Sequence, residues 1–305
     1  MPDDGFKYAL PPGLGDFPIR HVDDFSQRVP EKWNEHGGVM LPMYQSEAMW
    51  LYFSPSYVGD RGQYPFAIRV LTGKIDALTG ETYTAGLSRN PQNYVMAPGQ
   101  PWLDGYCVGK GVVRQFVAMP LGQGYTAEEQ ITGSEEHGGV QLIVYPMKKE
   151  AYERHFPKNA YKAMHRLSCS AVIDFEMGVA PGGQIEQKIY ADRFSPDDWE
   201  EASSRCFVHI VNSKVWRQVT LTRPPRKPLT AKEYTKAGLP WFEYYDDGEL
   251  GALDSTEPLE RLLSVNTLKR LWTGKQLDGN KSCDPKVVIP IRKGLGKNQV
   301  RESEL

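Results

Sequence analysis

Residues 35–44 read EHGGVMLPMY, and residues 136–145 read EHGGVQLIVY. Seven of the ten positions are identical at an offset of 101 residues, and five of them are consecutive. Each copy opens on a glycine pair, the residue type that enters positive-φ backbone space without steric cost, so each predicts a turn. Each then continues into an apolar run suited to a β-strand. The pattern therefore predicts two equivalent turn-to-strand units in one mainly-β fold, each near the middle of a sheet.

Strand signals extend on both sides of the two copies. Residues 48–53, 64–71, 75–78 and 111–119 are apolar or aromatic, and turn chemistry at Thr72-Gly73-Lys74 and Thr79-Gly80-Glu81 punctuates them. Residues 140–147 form a nearly continuous apolar run, as a strand covered on both faces requires. Strands are again expected at 170–177, 184–190 and 205–211, while 91–100 reads as a loop. The 29 Gly, 23 Pro and 16 Tyr favour short strands joined by tight turns over long helices.

Helix signals are fewer. Residues 148–156 and 159–166 are charged and helix-compatible, separated by Pro157. Ser195-Pro196-Asp197-Asp198 has a capping hydroxyl, a proline at the first helical position and acids suited to the helix dipole. Thr230 and Glu233 have capping-box spacing, and Gly238 and Pro240 supply the stop. Leucines from Leu259 to Leu271, with Trp272, predict one amphipathic helix with a covered face. The RPPRKP run at 223–228 reads as an extended linker, and 287–291 as an edge strand.

These signals divide the chain into an N-terminal arm (1–36), a β-rich main domain (37–222) and a linker with a helical C-terminal extension (223–305). The expected architecture is a sandwich or distorted barrel with internal pseudo-symmetry. An α+β fold is the alternative if 148–166 forms one long packed helix. A weaker echo matches Met119, Gly124, Glu128 and Ile131 with Met177, Gly182, Glu186 and Ile189 at an offset of 58. The two offsets disagree, so one duplication does not explain both.

Composition excludes several partners. The 36 basic and 38 acidic residues leave a net charge of -2 and are mixed along the chain, which gives no basic face for nucleic acid. No run approaches the ~20 apolar residues that span a bilayer, so no membrane partner is expected. The opening MPDDGFKYALPPG lacks the charge and apolar core of a secretory signal, so the expected location is cytoplasmic. Cys107, Cys169, Cys206 and Cys283 show no paired spacing and read as reduced thiols.

Six residues are the candidates for chemistry. Glu35-His36 and Glu136-His137 could act as acid and base, or join a metal site, if the two turns meet. Glu128 and Glu186 stand near glycine-rich loops, where a carboxylate could reach a ligand, and paired carboxylates are the minimum for glycoside hydrolysis. The competing expectation is structural: the glycines make the turn and the polar residues cap it. Cys206 and His209 would fall on opposite faces of one strand, Cys107 reads as a small buried thiol, and no G-x-S-x-G or P-loop occurs. No metal and no cofactor are expected, since the one close Cys-His pair falls on opposite faces of its strand and the Glu-His pairs make a site only if the two turns converge.

The aromatic clusters Trp50, Tyr52, Phe53, Tyr57, Tyr64 and Trp241, Phe242, Tyr244, Tyr245 would form a sugar-stacking or protein-binding surface if exposed, and core if buried. Burial is the usual fate of such residues. The stretch QPWLDGYCVGKGVVRQFVAMPLGQGYTAEEQITG, the second EHGGV segment and AGLPWFEYY at 237–245 resemble a group of bacterial and fungal proteins of unassigned function. That resemblance implies no activity, cofactor or catalytic residue.

Two functional classes follow. The first is a non-catalytic binding or assembly module for a protein, a small molecule or a carbohydrate, with a homo-oligomer as one possible form. The second is a hydrolase-type enzyme, metal-assisted or not, that uses the Glu-His pairs or the loop carboxylates.

Overall fold

A computed structural model of the chain describes residues 1–305 except 12, 14, 60, 135, 158–175, 224–227, 246–250, 286 and 293–305. The fold is mainly β. Its first strands are β1 (Arg20–His21), β2 (Val39–Met43), β3 (Ala48–Met49), β4 (Leu51–Tyr52), β5 (Phe66–Thr72) and β6 (Ile75–Asp76). Next come β7 (Val95–Ala97), β8 (Trp102–Leu103), β9 (Gly105–Gly109), β10 (Val112–Pro120), β11 (Val140–Pro146) and β12 (Glu176–Glu186). The last three are β13 (Ser204–Asn212), β14 (Trp241–Tyr245) and β15 (Val288–Arg292). Among the described residues seven short α-helices decorate them: α1 (Glu31–His36), α2 (Ala127–Thr132), α3 (Lys149–His155), α4 (Ser213–Thr220), α5 (Ala231–Lys236), α6 (Glu257–Glu260) and α7 (Val265–Thr273).

Eleven strands form one sheet, whose main path runs β3-β10-β12-β13-β11-β5-β6; off this path β2 pairs with β13 and β1, β7 with β5, and β9 with β10. Pairing is antiparallel throughout except between β2 and β13. No pairing among the described residues closes the path into a barrel.

The two EHGGV segments meet at the centre of this sheet. Val39 and Val140 both register with Val208 of β13, β2 running parallel to that strand and β11 antiparallel. The two strands therefore leave one point in opposite directions along β13. Upstream of the glycines the copies differ, which corrects the expectation of equivalent units. Glu35 and His36 close helix α1, whereas Glu136 and His137 lie in a non-helical bend. A local cause is at hand: Pro30 precedes α1 and suits a helix start, while Gly133 ends α2 in a left-handed conformation just before the second copy.

The two copies of the weaker echo also differ in structure. Met119 is followed by a loop and α2, whereas Met177 continues into the long strand β12, and the two strands pair with each other. Residues 91–100, read as loop, contain strand β7, because Val95 to Ala97 dock on the edge of β5. The single helix expected over 259–272 is two helices. Ser264 accepts a hydrogen bond from Thr267 N–H and starts α7 afresh, so the leucine stripe is split between α6 and α7. Leu259, Leu262 and Leu268 are buried, but Leu271 and Trp272 are exposed.

Other expectations hold locally. Thr230 and Glu233 form the capping box of α5, Ser195 caps a short 3₁₀ turn, and 149–155 is helical. Strand β15 pairs in parallel with β14. The expected helix at 159–166, most of the strand at 170–177, Cys169 and the middle of the 223–228 linker lie outside the described residues.

The main core lies against β10, β12 and β13 and includes Val113, Phe116, Val179 and Ile210. It also takes in Tyr234 of α5, Trp241 of β14 and Leu259 of α6, which ties the C-terminal segment to the sheet. Trp33 of α1 and Trp216 of α4 share a smaller cluster with Met40 and Val211. Fully burying one such large apolar side chain contributes roughly 1.5–3 kcal/mol. Arg69 and Asp76 form an ion pair at 3.1 Å, both almost wholly buried, and Arg69 also donates to the carbonyls of Thr84 and Gly86. That network fixes the loop after the β5–β6 hairpin. No helix among the described residues is long and apolar enough to cross a membrane.

Candidate functional site

The structure brings several of the sequence-predicted residues together, in a narrow crevice above Phe207 and His209. Glu128 of α2 is buried, and its carboxylate accepts hydrogen bonds from His137 Nδ1–H at 3.0 Å, His137 N–H at 3.3 Å and Gly138 N–H at 3.0 Å. His36 lies across the same crevice, its Nδ1 bonded to the Lys32 carbonyl at 2.7 Å and its ring edge-on to Phe207. His209 stacks on Trp33 with ring centroids 4.2 Å apart and bonds the Gly37 carbonyl at 3.0 Å. Burial pushes the His209 imidazole down to about 4, with the neighbouring His36 adding to the effect and the Gly37 bond opposing it.

This arrangement is a turn clamp. Glu128 spends its acceptors on the second Gly-Gly turn, and His209 secures the first. The free volume between the imidazoles is about 20 Å³, near the size needed for one water. Among the described residues no group of three or more His, Cys, Asp or Glu side chains is placed to hold a metal ion. Glu35 and Glu136 are exposed beside the crevice, and Glu136 approaches His137 at 3.9 Å. Glu186 is exposed at the far end of β12 and joins none of the others.

A larger site opens elsewhere, where the N-terminal arm, the β3–β4 segment, the β8–β9 segment and the start of β14 meet. The cleft has a volume of about 830 Å³, within the range of small-molecule sites. Tyr52 of β4 pairs with Trp102 of β8, which sets two aromatic rings on one ribbon. Trp50 precedes them, and Gly13 of the arm packs on it so closely that a Cβ there would lie 2.5 Å from the indole. Trp50 is 40% exposed and Tyr52 70% exposed, and Tyr57 is exposed as well, so the burial expected for this aromatic cluster does not hold for these three. Trp241 is fully buried in the cleft wall, edge-on to Tyr234, and its indole N–H has no hydrogen-bond partner among the described residues.

Asp16, Glu47 and Asp104 bring three carboxyl groups to the same cleft, and β10 holds the last two side by side. The Asp104 carbonyl accepts from Phe116 N–H and the Glu47 carbonyl from Ala118 N–H, both at 2.9 Å. These N–H groups lie two residues apart on β10, so the backbone attachment points are roughly 7 Å apart by strand rise. Asp104 is nearly buried, and Gln187 is bound to it twice: Asp104 N–H donates to Gln187 Oε1, and Gln187 Nε2–H donates to Asp104 Oδ2 at 2.5 Å. Burial pushes the Asp104 carboxyl up to about 7, against hydrogen bonds from Trp102 and Gln187. Burial likewise pushes Glu47 up to about 7, opposed by the Tyr44 N–H that its carboxylate accepts at 2.7 Å.

Near neutral pH each of these two carboxyls therefore exchanges readily between acid and anion, and can donate or accept beside apolar rings. Buried glutamines brace this geometry: Gln100 Nε2–H donates to the carbonyls of Trp102 and Lys188, and Gln100 Oε1 accepts from Tyr190 N–H. The sequence carries part of this signal in the aromatic crowd at 50–64. Glu47 and Asp104 have none, because their character arises from burial by segments distant in the chain.

Neither a known protein family, nor a curated protein, nor a solved structure matches this chain.

Proposed function

We propose that this protein is a carbohydrate-binding module whose ligand lies in the cleft rimmed by Trp50, Tyr52 and Trp102. The observation that carries the reading is the exposure of Trp50 and Tyr52 beside a cleft with polar groups in its wall. Aromatic faces cover the C–H faces of sugar rings, and a few fixed polar groups orient the hydroxyls. Glu47 and Asp104 supply such groups. Titration calorimetry against a panel of neutral and acidic oligosaccharides tests it. Trp50→Ala with Trp102→Ala should weaken binding at least tenfold, equivalent to about 1.4 kcal/mol. A panel in which no saccharide binds would remove this reading.

A second reading, hydrolysis of the bound saccharide, is favoured by one observation: Glu47 and Asp104 are both raised to about 7 within one cleft. Glycoside hydrolysis needs one carboxyl as acid and another as base or nucleophile. Release of reducing ends from a bound oligosaccharide, abolished by Glu47→Gln with affinity kept, would support it. Binding with no release would leave the module reading in place.

A further inference from the structure

A second recess of about 340 Å³ adjoins the aromatic cleft and shares Leu10, Trp102 and Phe242 with it. Its character is different. Three lysines from three segments line it: Lys7 of the arm, Lys110 at the β9–β10 turn and Lys188 just beyond β12.

Main-chain bonds hold these segments in one layer. Tyr8 bonds to Gln184 and Glu186, and Gln187 N–H donates to the Gly111 carbonyl at 3.1 Å. A Cβ on Gly111 would lie 3.8 Å from Lys188 Cγ, so Lys188 is close to the Lys110–Gly111 turn. None of the three lysines forms an ion pair among the described residues. Glu186 and Glu243 also line the recess, which leaves it one positive charge in excess.

We infer that this recess is an anion subsite of the cleft, and that the ligand is an acidic oligosaccharide: its sugar rings lie on Trp50 and Trp102, and a carboxylate or sulfate substituent meets Lys110 and Lys188. The inference rests on the carbohydrate reading above. Trp102 borders both spaces, so one ligand can occupy both without a break. An ammonium is a compact point charge that suits such groups without demanding a fixed bidentate geometry. The lysines are solvent-exposed, so the attraction is salt-sensitive and adds selectivity rather than most of the affinity.

The test uses the full chain and three probes of equal length: a neutral oligosaccharide, an oligouronate and a sulfated oligosaccharide. At about 0.02 M salt the better acidic probe should bind roughly tenfold tighter than the neutral one, and most of that advantage should vanish by about 0.5 M salt. Whichever acidic probe binds better identifies the substituent. In the double variant Lys110→Gln, Lys188→Gln the acidic probe should fall to the level of the neutral one, with neutral affinity unchanged. Circular dichroism confirms that these exposed substitutions leave the fold intact. Neutral binding with no acidic advantage, or an advantage that survives the double variant, overturns the inference and leaves the carbohydrate reading standing. Failure of all three probes to bind removes both.

Discussion

Gly38 and Gly139 press against neighbouring carbonyls of a single strand. A Cβ on Gly38 would lie 2.3 Å from the Phe207 oxygen, and one on Gly139 would lie 2.7 Å from the Val208 oxygen. Both also have positive φ, +89° and +60°. The second glycine of each EHGG segment thus has the same physical reason: two chain segments enter the sheet on opposite edges of β13 at one level, with no room for a side chain.

Gly38→Ala and Gly139→Ala should therefore each destabilise by more than 2 kcal/mol, the sum of a backbone clash and roughly 1 kcal/mol or more of left-handed strain. Gly251 provides the control, since a Cβ there meets nothing within 4 Å and its φ is not positive. Gly251→Ala should stay within about 0.5 kcal/mol of the parent. Urea denaturation of the three variants checks the ranking, and equal effects would refute the packing argument.

Glu128 is the next case, because it was a candidate for chemistry and the structure gives it a holding role. Its loss leaves the His137 and Gly138 N–H groups and the His137 imidazole without their acceptor in a nearly buried place. Glu128→Ala should cost about 2–4 kcal/mol. Glu186→Ala, at an exposed position, should cost less than about 0.5 kcal/mol. Thermal unfolding of both variants distinguishes these roles.

What the sequence revealed and what it concealed divide along physical lines. The Gly-Gly turns, the strand runs after them and the capping box at Thr230 and Glu233 are local, and they were legible. Helix α4 was missed although its Asn212 cap and buried Trp216 and Val219 are regular features, because it follows β13 without a break. The split at Ser264 was hidden by leucines on both sides of it. Glu47 and Asp104 were illegible for a deeper reason. A carboxyl becomes unusual only when distant segments strip water from it, and here strand β10 and Gln187 do so from far along the chain.

The Asp104 carboxyl predicts a pH dependence with a definite sign. Its value in the folded protein, about 7, lies above the ordinary 3.8, so ionisation opposes folding. Its contribution is fully present below about pH 4 and is lost as the pH rises through 7. His209, pushed down to about 4, acts oppositely, losing its contribution as the pH falls from 6.5. Comparing the parent with Asp104→Asn isolates the first term. Between pH 5 and pH 8 the variant should gain roughly 2–3 kcal/mol relative to the parent. Chemical denaturation at the two values measures it, and a constant difference would show that Asp104 ionises normally.

The C-terminal segment provides the last prediction. Trp241 and Leu259 are fully buried in the same core as Phe116 and Ile185. Thr256 also donates a hydrogen bond to the Thr79 carbonyl, and a Cβ on Gly80 would lie 2.9 Å from Leu259 Cγ, so α6 sits directly on the β6 turn. Removing residues 229–305 would uncover this apolar surface and open one wall of the aromatic cleft. Each large side chain withdrawn from the core costs about 1.5–3 kcal/mol of burial, and whole-domain stability is only about 5–15 kcal/mol. The truncated chain should therefore lack a cooperative unfolding transition and bind a hydrophobic dye. A soluble fragment of residues 1–228 that unfolds cooperatively would instead show that the eleven-stranded sheet is stable without this cover.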